Sequence, residues 1–195
     1  MSDREAPVRQ QLIISGVGGQ GILFLTRLLA ETAIHRGLAV ISSETHGMAQ
    51  RGGVVVSHLK VGGFPSPLVR AGTADGMLVL NAGNFRLQRP FLKADGWAAM
   101  NAPDCAEQVE GPAMHRIDAD AIARESGLRQ GTNLILLGFL LAPGSPFPFF
   151  CTAGDIRQVL ESKQATRGNL VTQSLRALEA GLEYGTTYYL EAPGC

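Results

Sequence analysis

The chain has 195 residues, enough for one domain of ordinary size with a buried core. Hydrophobic residues make up 45% and charged residues only 17%, and 17 Lys and Arg balance 17 Asp and Glu, which argues against a nucleic-acid binder, since that class carries a basic excess. No apolar run reaches the roughly 18 residues that span a bilayer, and Cys105, Cys151 and Cys195 form no C-x-x-C pair, so neither a disulfide framework nor a self-contained zinc or iron–sulfur site is supported.

Residues 1–10 are charged and polar, without the apolar core of a signal peptide, and a cytoplasmic protein is expected. Residues 12–15 read as a first strand. The glycine turn Gly16-Val-Gly-Gly-Gln-Gly21 follows, and then apolar residues at helical spacing (Leu25, Leu28, Leu29, Thr32, Ala33) up to about His35. Gly16, Gly18 and Gly21 occupy the three places of a G-x-G-x-x-G fingerprint, with Gly19 as an extra glycine. Such a turn brings backbone close to a ligand or partner, and the N–H groups opening the helix suit a phosphate or carboxylate.

Gly37 reads as a left-handed helix cap, and residues 38–41 as a second strand of a parallel sheet. Residues 43–53, SETHGMAQRGG, read as a polar loop at that strand's carboxyl end, where the crevice of an open α/β sheet lies. Residues 54–61 are β-branched, and Val61-Gly62-Gly63-Phe64 reads as a hairpin turn into residues 65–67, adding an antiparallel edge. Strands are expected at 77–80, 97–100 and 114–117, with a helix containing Phe85, Leu87, Phe91 and Leu92 between the first two. Asp118 reads as the cap of a helix over 119–126, and residues 132–141 as a buried helix. Two closing helices fit 155–163 and 169–184.

The expected fold is α/β and Rossmann-like: one domain, a mostly parallel sheet with helices on both faces and a β-hairpin at one edge. The domain covers 11–185, with tails at 1–10 and 186–195.

The chemistry lies in the glycine turn and the loop. Glu44, a little over twenty residues past Gly21, stands where a nucleotide-binding fold places the carboxylate that holds a ribose hydroxyl; a structural brace against Arg51 is the alternative. His46 suits a proton donor or anion contact, and Arg51 a phosphate or carboxylate, with Gly52 and Gly53 beside it. The other histidines are scattered and no metal site is expected. No G-x-S-x-G elbow and no G-K-[ST] occurs, so neither a hydrolase nor a nucleotide-hydrolysing P-loop is indicated.

The turn Gly16–Gly21 together with Ser43-Glu-Thr-His-Gly-Met-Ala-Gln-Arg-Gly-Gly53 resembles the gamma domain of 2-oxoacid:ferredoxin oxidoreductases. The run from His46 to Gly53 is similar to the small (beta) subunit of the indolepyruvate-oxidising members. Ser57-His58, Ser66-Pro67, Ala74-Asp75, the IDADAIA of 117–123 and the NLILLG of 133–138 agree with it. Residues 81–88 depart from it, having no acidic residue after the fourth strand. The resemblance implies an enzyme that oxidises an aryl 2-oxoacid to acyl-coenzyme A and carbon dioxide, passing electrons to ferredoxin. It implies thiamine diphosphate, Mg and iron–sulfur clusters in a large (alpha) partner subunit, none held by this chain alone, and coenzyme A as co-substrate. On that reading Gly16, Gly18, Gly19, Gln20, Gly21, Glu44, His46, Arg51, Gly52 and Gly53 face coenzyme A or the partner's active site. His46 and Arg51 are the contributors to its chemistry. No nucleic-acid or membrane partner is implied. The alternatives are a stand-alone Rossmann-type nucleotide-binding oxidoreductase or sensor using Glu44 on a ribose, and a scaffold with a degenerate glycine turn.

Overall fold

The computed structural model describes residues 8–46, 53–103, 114–128 and 130–191. In chain order these form β1 (Gln10–Val17), α1 (Ile22–His35), β2 (Val40–His46), β3 (Val54–Val61), β4 (Ala74–Val79), α2 (Phe85–Gln88, flanked by 3₁₀ turns Ala82–Asn84 and Arg89–Phe91), β5 (Leu92–Asn101) and β6 (Met114–Ile117). Four further helices follow: α3 (Ala119–Glu125), α4 (Thr132–Leu140), α5 (Ala153–Glu161) and α6 (Gln164–Glu191).

One six-stranded sheet runs β2-β3-β1-β4-β5-β6. β1, β4, β5 and β6 are parallel neighbours, as crossovers through helices require. β3 is antiparallel to β1 from Gln10↔Val61 to Val17↔Val54, and antiparallel to β2 from Val40↔Val61 to His46↔Val55.

Here the fold departs from the sequence expectation. The antiparallel pair at the sheet edge is β2–β3, and no strand follows Gly62 in residues 64–73. β2 is therefore an edge strand separated from β1 by β3, not a buried parallel strand beside it. Its residues Ser42, Glu44 and Thr45 are exposed, which an edge tolerates, and that polarity is what made residues 43–46 look like loop. The helix expected through Leu92 is also broken: Pro90 lies in the second 3₁₀ turn, and Leu92 already belongs to β5.

Side-chain alternation divides the core in two. Leu12 and Ile14 of β1, Leu59 and Val61 of β3 and Leu78 of β4 face one layer with α1, α3, α4, α5 and α6. Ile13, Val56, Met77, Val79, Ala98 and Met100 face the other, covered by Val69, Phe85 and Phe91 from the 62–73 connection and the α2 segment. Helices thus lie on both faces, the longer ones all on one.

α4 is buried at eight of its nine positions and packs along α6. Glycines set the distance between their backbones. A methyl at Gly138 would lie 2.9 Å from Leu182 N, one at Gly181 would lie 2.8 Å from the carbonyl carbon of Ile135, and one at Gly185 2.9 Å from Phe139 O. These positions admit only hydrogen, so the two helices meet backbone to backbone.

Candidate functional site

The carboxyl end of β1 carries the glycine turn. Gln20 N–H donates to Val17 O (3.2 Å), closing a reverse turn. The Gln20 side chain accepts from Val17 N–H through Oε1 (2.8 Å) and donates through Nε2 to Leu80 O (3.0 Å). Gln20, expected to face a ligand, thus spends both ends of its amide on main-chain groups and locks the turn to the end of β4.

The glycines have different tasks from those the fingerprint assigns. Positive φ falls on Gly19 (98°) and Gly21 (77°), so the extra glycine is conformationally required. Gly16 is still in β1 and is packed: a methyl there would lie 3.0 Å from Leu80 Cβ and 3.1 Å from Ile22 Cδ1. Gly18 N–H donates to Gly53 O (3.1 Å), which ties the residue preceding β3 to the turn. The end of β2, the start of β3 and the turn meet at one sheet end, since Gly16, Val55 and His46 share a register row.

Leu80 O is shared. It accepts from Gln20 Nε2 and also from Asn101 Nδ2 (3.1 Å) at the end of β5. Asn101 Nδ2 reaches Asp120 Oδ2 (2.9 Å), and Asn101 Oδ1 accepts from Ala119 N–H (2.9 Å). Asp120 Oδ1 accepts from the Thr132 hydroxyl (2.8 Å), and Asn133 Nδ2 donates to Gly21 O (3.2 Å). The starts of α1, α3 and α4 and the ends of β4 and β5 are thereby one connected polar unit. In the sequence Thr132 marked only the start of the 132–141 helix, and Asp120 and Asn133 appeared only as members of the IDADAIA and NLILLG runs, with no role assigned. Nothing local in the sequence joins them to Gly21, 112 residues from Asn133.

Beside this unit lies a cleft of about 920 Å³, walled by the turn (Gly19, Gln20, Gly21), the start of α4, α1 and the first half of α6. Both helices that border it, α1 and α4, begin at a glycine (Gly21, Gly131) with no side-chain cap, and in α4 the Leu134 N–H donates to Asn133 Oδ1 (2.8 Å). Arg27 stands on the wall, while the neighbouring Lys163 is paired with Glu31. Leu23 and Phe24 of α1 and Leu170 of α6 line the rim, at 43%, 41% and 56% exposure. An anionic group at the helix starts with an apolar arm along the rim is the chemistry such a cleft accepts.

Glu44 lies elsewhere. It pairs with Ser57, which pairs with Ile14, so β3 stands between Glu44 and β1, and the two outer backbones are about 10 Å apart at the usual strand spacing. It sits level with the middle of β1, not past its carboxyl end, so it does not take the ribose-carboxylate position; counting residues from Gly21 assumed that β2 adjoins β1. His46 closes β2 opposite Val55. Arg51 and Gly52 lie outside the described residues, as do Cys105 and Cys195. Cys151 is buried (4% exposed), with its thiol pushed well above the ordinary range by burial first and then by Asp155. Among the described residues no group of three or more His, Cys, Asp or Glu is set to hold a metal, and no helix is long and apolar enough to cross a membrane.

Comparison with known proteins agrees with this architecture. The chain is 30% identical over 195 aligned positions to the indolepyruvate oxidoreductase subunit IorB of Archaeoglobus fulgidus, which covers 89% of this chain and 94% of that subunit. Its fold matches the gamma subunit of a keto/oxoacid ferredoxin oxidoreductase from Geobacter sulfurreducens (TM-score 0.71, 20% identity, 91% of this chain and 99% of that one). It also matches the 2-oxoglutarate:ferredoxin oxidoreductase of Magnetococcus marinus, solved with 2-oxoglutarate, coenzyme A and succinyl-CoA (TM-score 0.73, 20% identity, 96% of this chain). There the chain spans 32% of the longer polypeptide. Residues 11–184 match the pyruvate ferredoxin/flavodoxin oxidoreductase family, and the chain belongs to it.

Proposed function

We propose that this chain is the small, non-catalytic subunit of a 2-oxoacid:ferredoxin oxidoreductase acting on aryl 2-oxoacids such as indolepyruvate. The complete enzyme would form acyl-coenzyme A and carbon dioxide and reduce ferredoxin in the cytoplasm. The observation that carries this is the near end-to-end match to the Archaeoglobus subunit, 30% identical with 94% of that subunit covered.

The residues present do not fit the redox cofactors of such an enzyme. A cluster held by four cysteinates cannot be built from three cysteines, of which Cys151 is buried as a thiol. Thiamine diphosphate with Mg, which supplies the decarboxylation chemistry, and the iron–sulfur clusters therefore belong to a large partner chain on this reading. What this chain contributes is shape and charge. The glycine turn and the loop from His46 to Gly53 face the partner's active site, Leu23, Phe24 and Leu170 are buried against it, and the cleft receives coenzyme A. Arg27 and the open starts of α1 and α4 would hold an anionic group of coenzyme A, and Arg51 a second one.

A native pull-down on this chain tests the subunit reading. A large partner bringing broad iron–sulfur absorbance and bound thiamine diphosphate is expected; a chain that comes down alone and binds NAD(P) would sink the proposal in favour of a stand-alone oxidoreductase. In the assembled enzyme, Arg27→Glu and Arg51→Glu should each raise the KM for coenzyme A about tenfold or more while leaving the KM for the 2-oxoacid unchanged. No change in the coenzyme A dependence of either variant removes coenzyme A from the cleft.

A further inference from the structure

At the opposite end of the sheet from the glycine turn lies a second site that the cleft does not use. Arg9 precedes β1, and Lys60 stands in β3 opposite Gln11, both beside Phe64 of the 62–73 connection. The Arg9 guanidinium carbon is 4.4 Å from the Phe64 ring centroid and the Lys60 ammonium 5.2 Å from it. Arg70, on the same connection, adds a third cation near enough to act on Lys60. Burial first, and then Arg70, push the Lys60 ammonium below its ordinary value, although the ring attracts it.

No carboxylate among the described residues answers these three charges. Four other cations of the described surface do have a carboxylate partner: Arg36 pairs with Asp155, Lys93 with Asp75, Arg157 with Glu179 and Lys163 with Glu31. In a chain of zero net charge, two unanswered cations on one ring, with Lys60 only 6% exposed and Arg70 close enough to act on it, are held against mutual repulsion. The cost is recovered when carboxylates arrive. The surroundings are those of a protein interface: an aromatic ring, Leu68 exposed at 50% on the same connection, and arginines at the rim.

We propose that Arg9 and Lys60 on the Phe64 ring, together with Arg70 of the same connection, form a basic docking patch for an acidic segment of the large partner chain, so that the partner grips this subunit at both ends of β1. This rests on the subunit reading above. The two grips lie about 25 Å apart, the length of an eight-residue strand, a span that a large chain can bridge. The same fold occupies only a third of the Magnetococcus polypeptide, so a neighbour of that size has a precedent in fold terms.

The test uses the co-expressed complex and titrates this chain against its large partner by sedimentation at several salt concentrations. Arg9→Glu/Arg70→Glu, both on exposed side chains, should weaken assembly at least tenfold and flatten its salt dependence, with an unchanged melting temperature for the isolated chain. Arg9→Gln/Arg70→Gln should fall between the variant and the native chain. Native assembly with unaltered affinity and salt slope in the Glu variant overturns this proposal alone. Failure of the native chain to find any large partner overturns it together with the subunit reading. Reversible self-association of the isolated chain that the Glu variant abolishes would assign the patch to a second copy and also overturn it.

Discussion

Gly181→Ala sets two opposed effects against each other. On an open helix surface the change adds about 0.8–1 kcal/mol of helix propensity. At the α4–α6 seam the new methyl would lie 2.8 Å from the carbonyl carbon of Ile135 and 2.9 Å from its Cα, closer still to the carbonyl oxygen. Carbon atoms prefer about 3.5–4.0 Å, so the backbones must part by roughly 0.7–1.2 Å, and gaps of that order forfeit a quarter to a half of each contact along the seam. The obstacle is main chain and cannot rotate aside, and α4 is buried at eight of nine positions, so the overpacking cost belongs near the upper end of the usual range, about 3 kcal/mol. The net is about 2 kcal/mol of destabilisation, or a fall of roughly 4–8 °C in melting temperature for a chain of this size. Thermal unfolding followed by circular dichroism measures it, with Gly154→Ala as control. There the nearest atom to the methyl is the Thr152 hydroxyl at 3.5 Å, an ordinary contact, and the melting temperature should hold or rise. If Gly181→Ala melts at or above the native temperature, the seam is looser than described and glycine is not needed in it.

In the turn, Gly19→Ala should cost about 1–2 kcal/mol for the left-handed backbone alone, since its methyl meets open space. Gly21→Ala should cost clearly more in urea unfolding, because its methyl also lands on the Asn133 amide; equal costs would mean that Asn133 yields freely. Asp155→Asn should lose about 1 kcal/mol at pH 7 by weakening the capping box at the start of α5. Burial pushes the Asp155 carboxyl up, but hydrogen bonds from the Thr152 N–H and hydroxyl, with Arg36 and His35, hold it below the carboxylate range. Its contribution is thus present above about pH 4 and lost as pH falls further, so native and variant stabilities should converge at about pH 2–3; a constant difference refutes the assignment. His115 sits among Phe147, Tyr188 and Tyr189 with Nδ1 buried and unbonded, and burial holds it below the ordinary imidazole value. The folded state favours its neutral form, so stability is lost as pH falls below about 6.5. His115→Phe should shrink the drop in melting temperature between pH 7.5 and 5, leaving the share due to His58, which burial and Lys60 also depress. An undiminished drop would clear His115 of any part in it.

The parts of the fold legible in the sequence were those with strict local chemistry. Four glycines between an apolar run and a helical pattern admit few structures. Asp118 caps α3 through Ala121 N–H as read, and β6 runs over Met114–Ile117 as read. What escaped was the order of strands. The polarity of β2 results from its place at an edge, which depends on β3 inserting beside β1, and no pattern within residues 40–46 announces that. The same error carried Glu44 toward the crevice. The cleft was half legible: its glycine wall could be read, whereas Asn101, Asp120, Thr132 and Asn133 are brought to it by topology alone.

The shared carbonyl of Leu80 has a consequence for motion. Because one acceptor binds both Gln20 and Asn101, and Asn101 in turn holds α3, the crevice end of the sheet cannot open one segment at a time. The amides of Val17, Gly18 and Ala119, which come from distant parts of the chain, should exchange with solvent deuterium in a single sub-global event of common free energy. A subunit built this way presents its partner with a face that is rigid before they meet. The ordering entropy is then spent in folding and not in assembly.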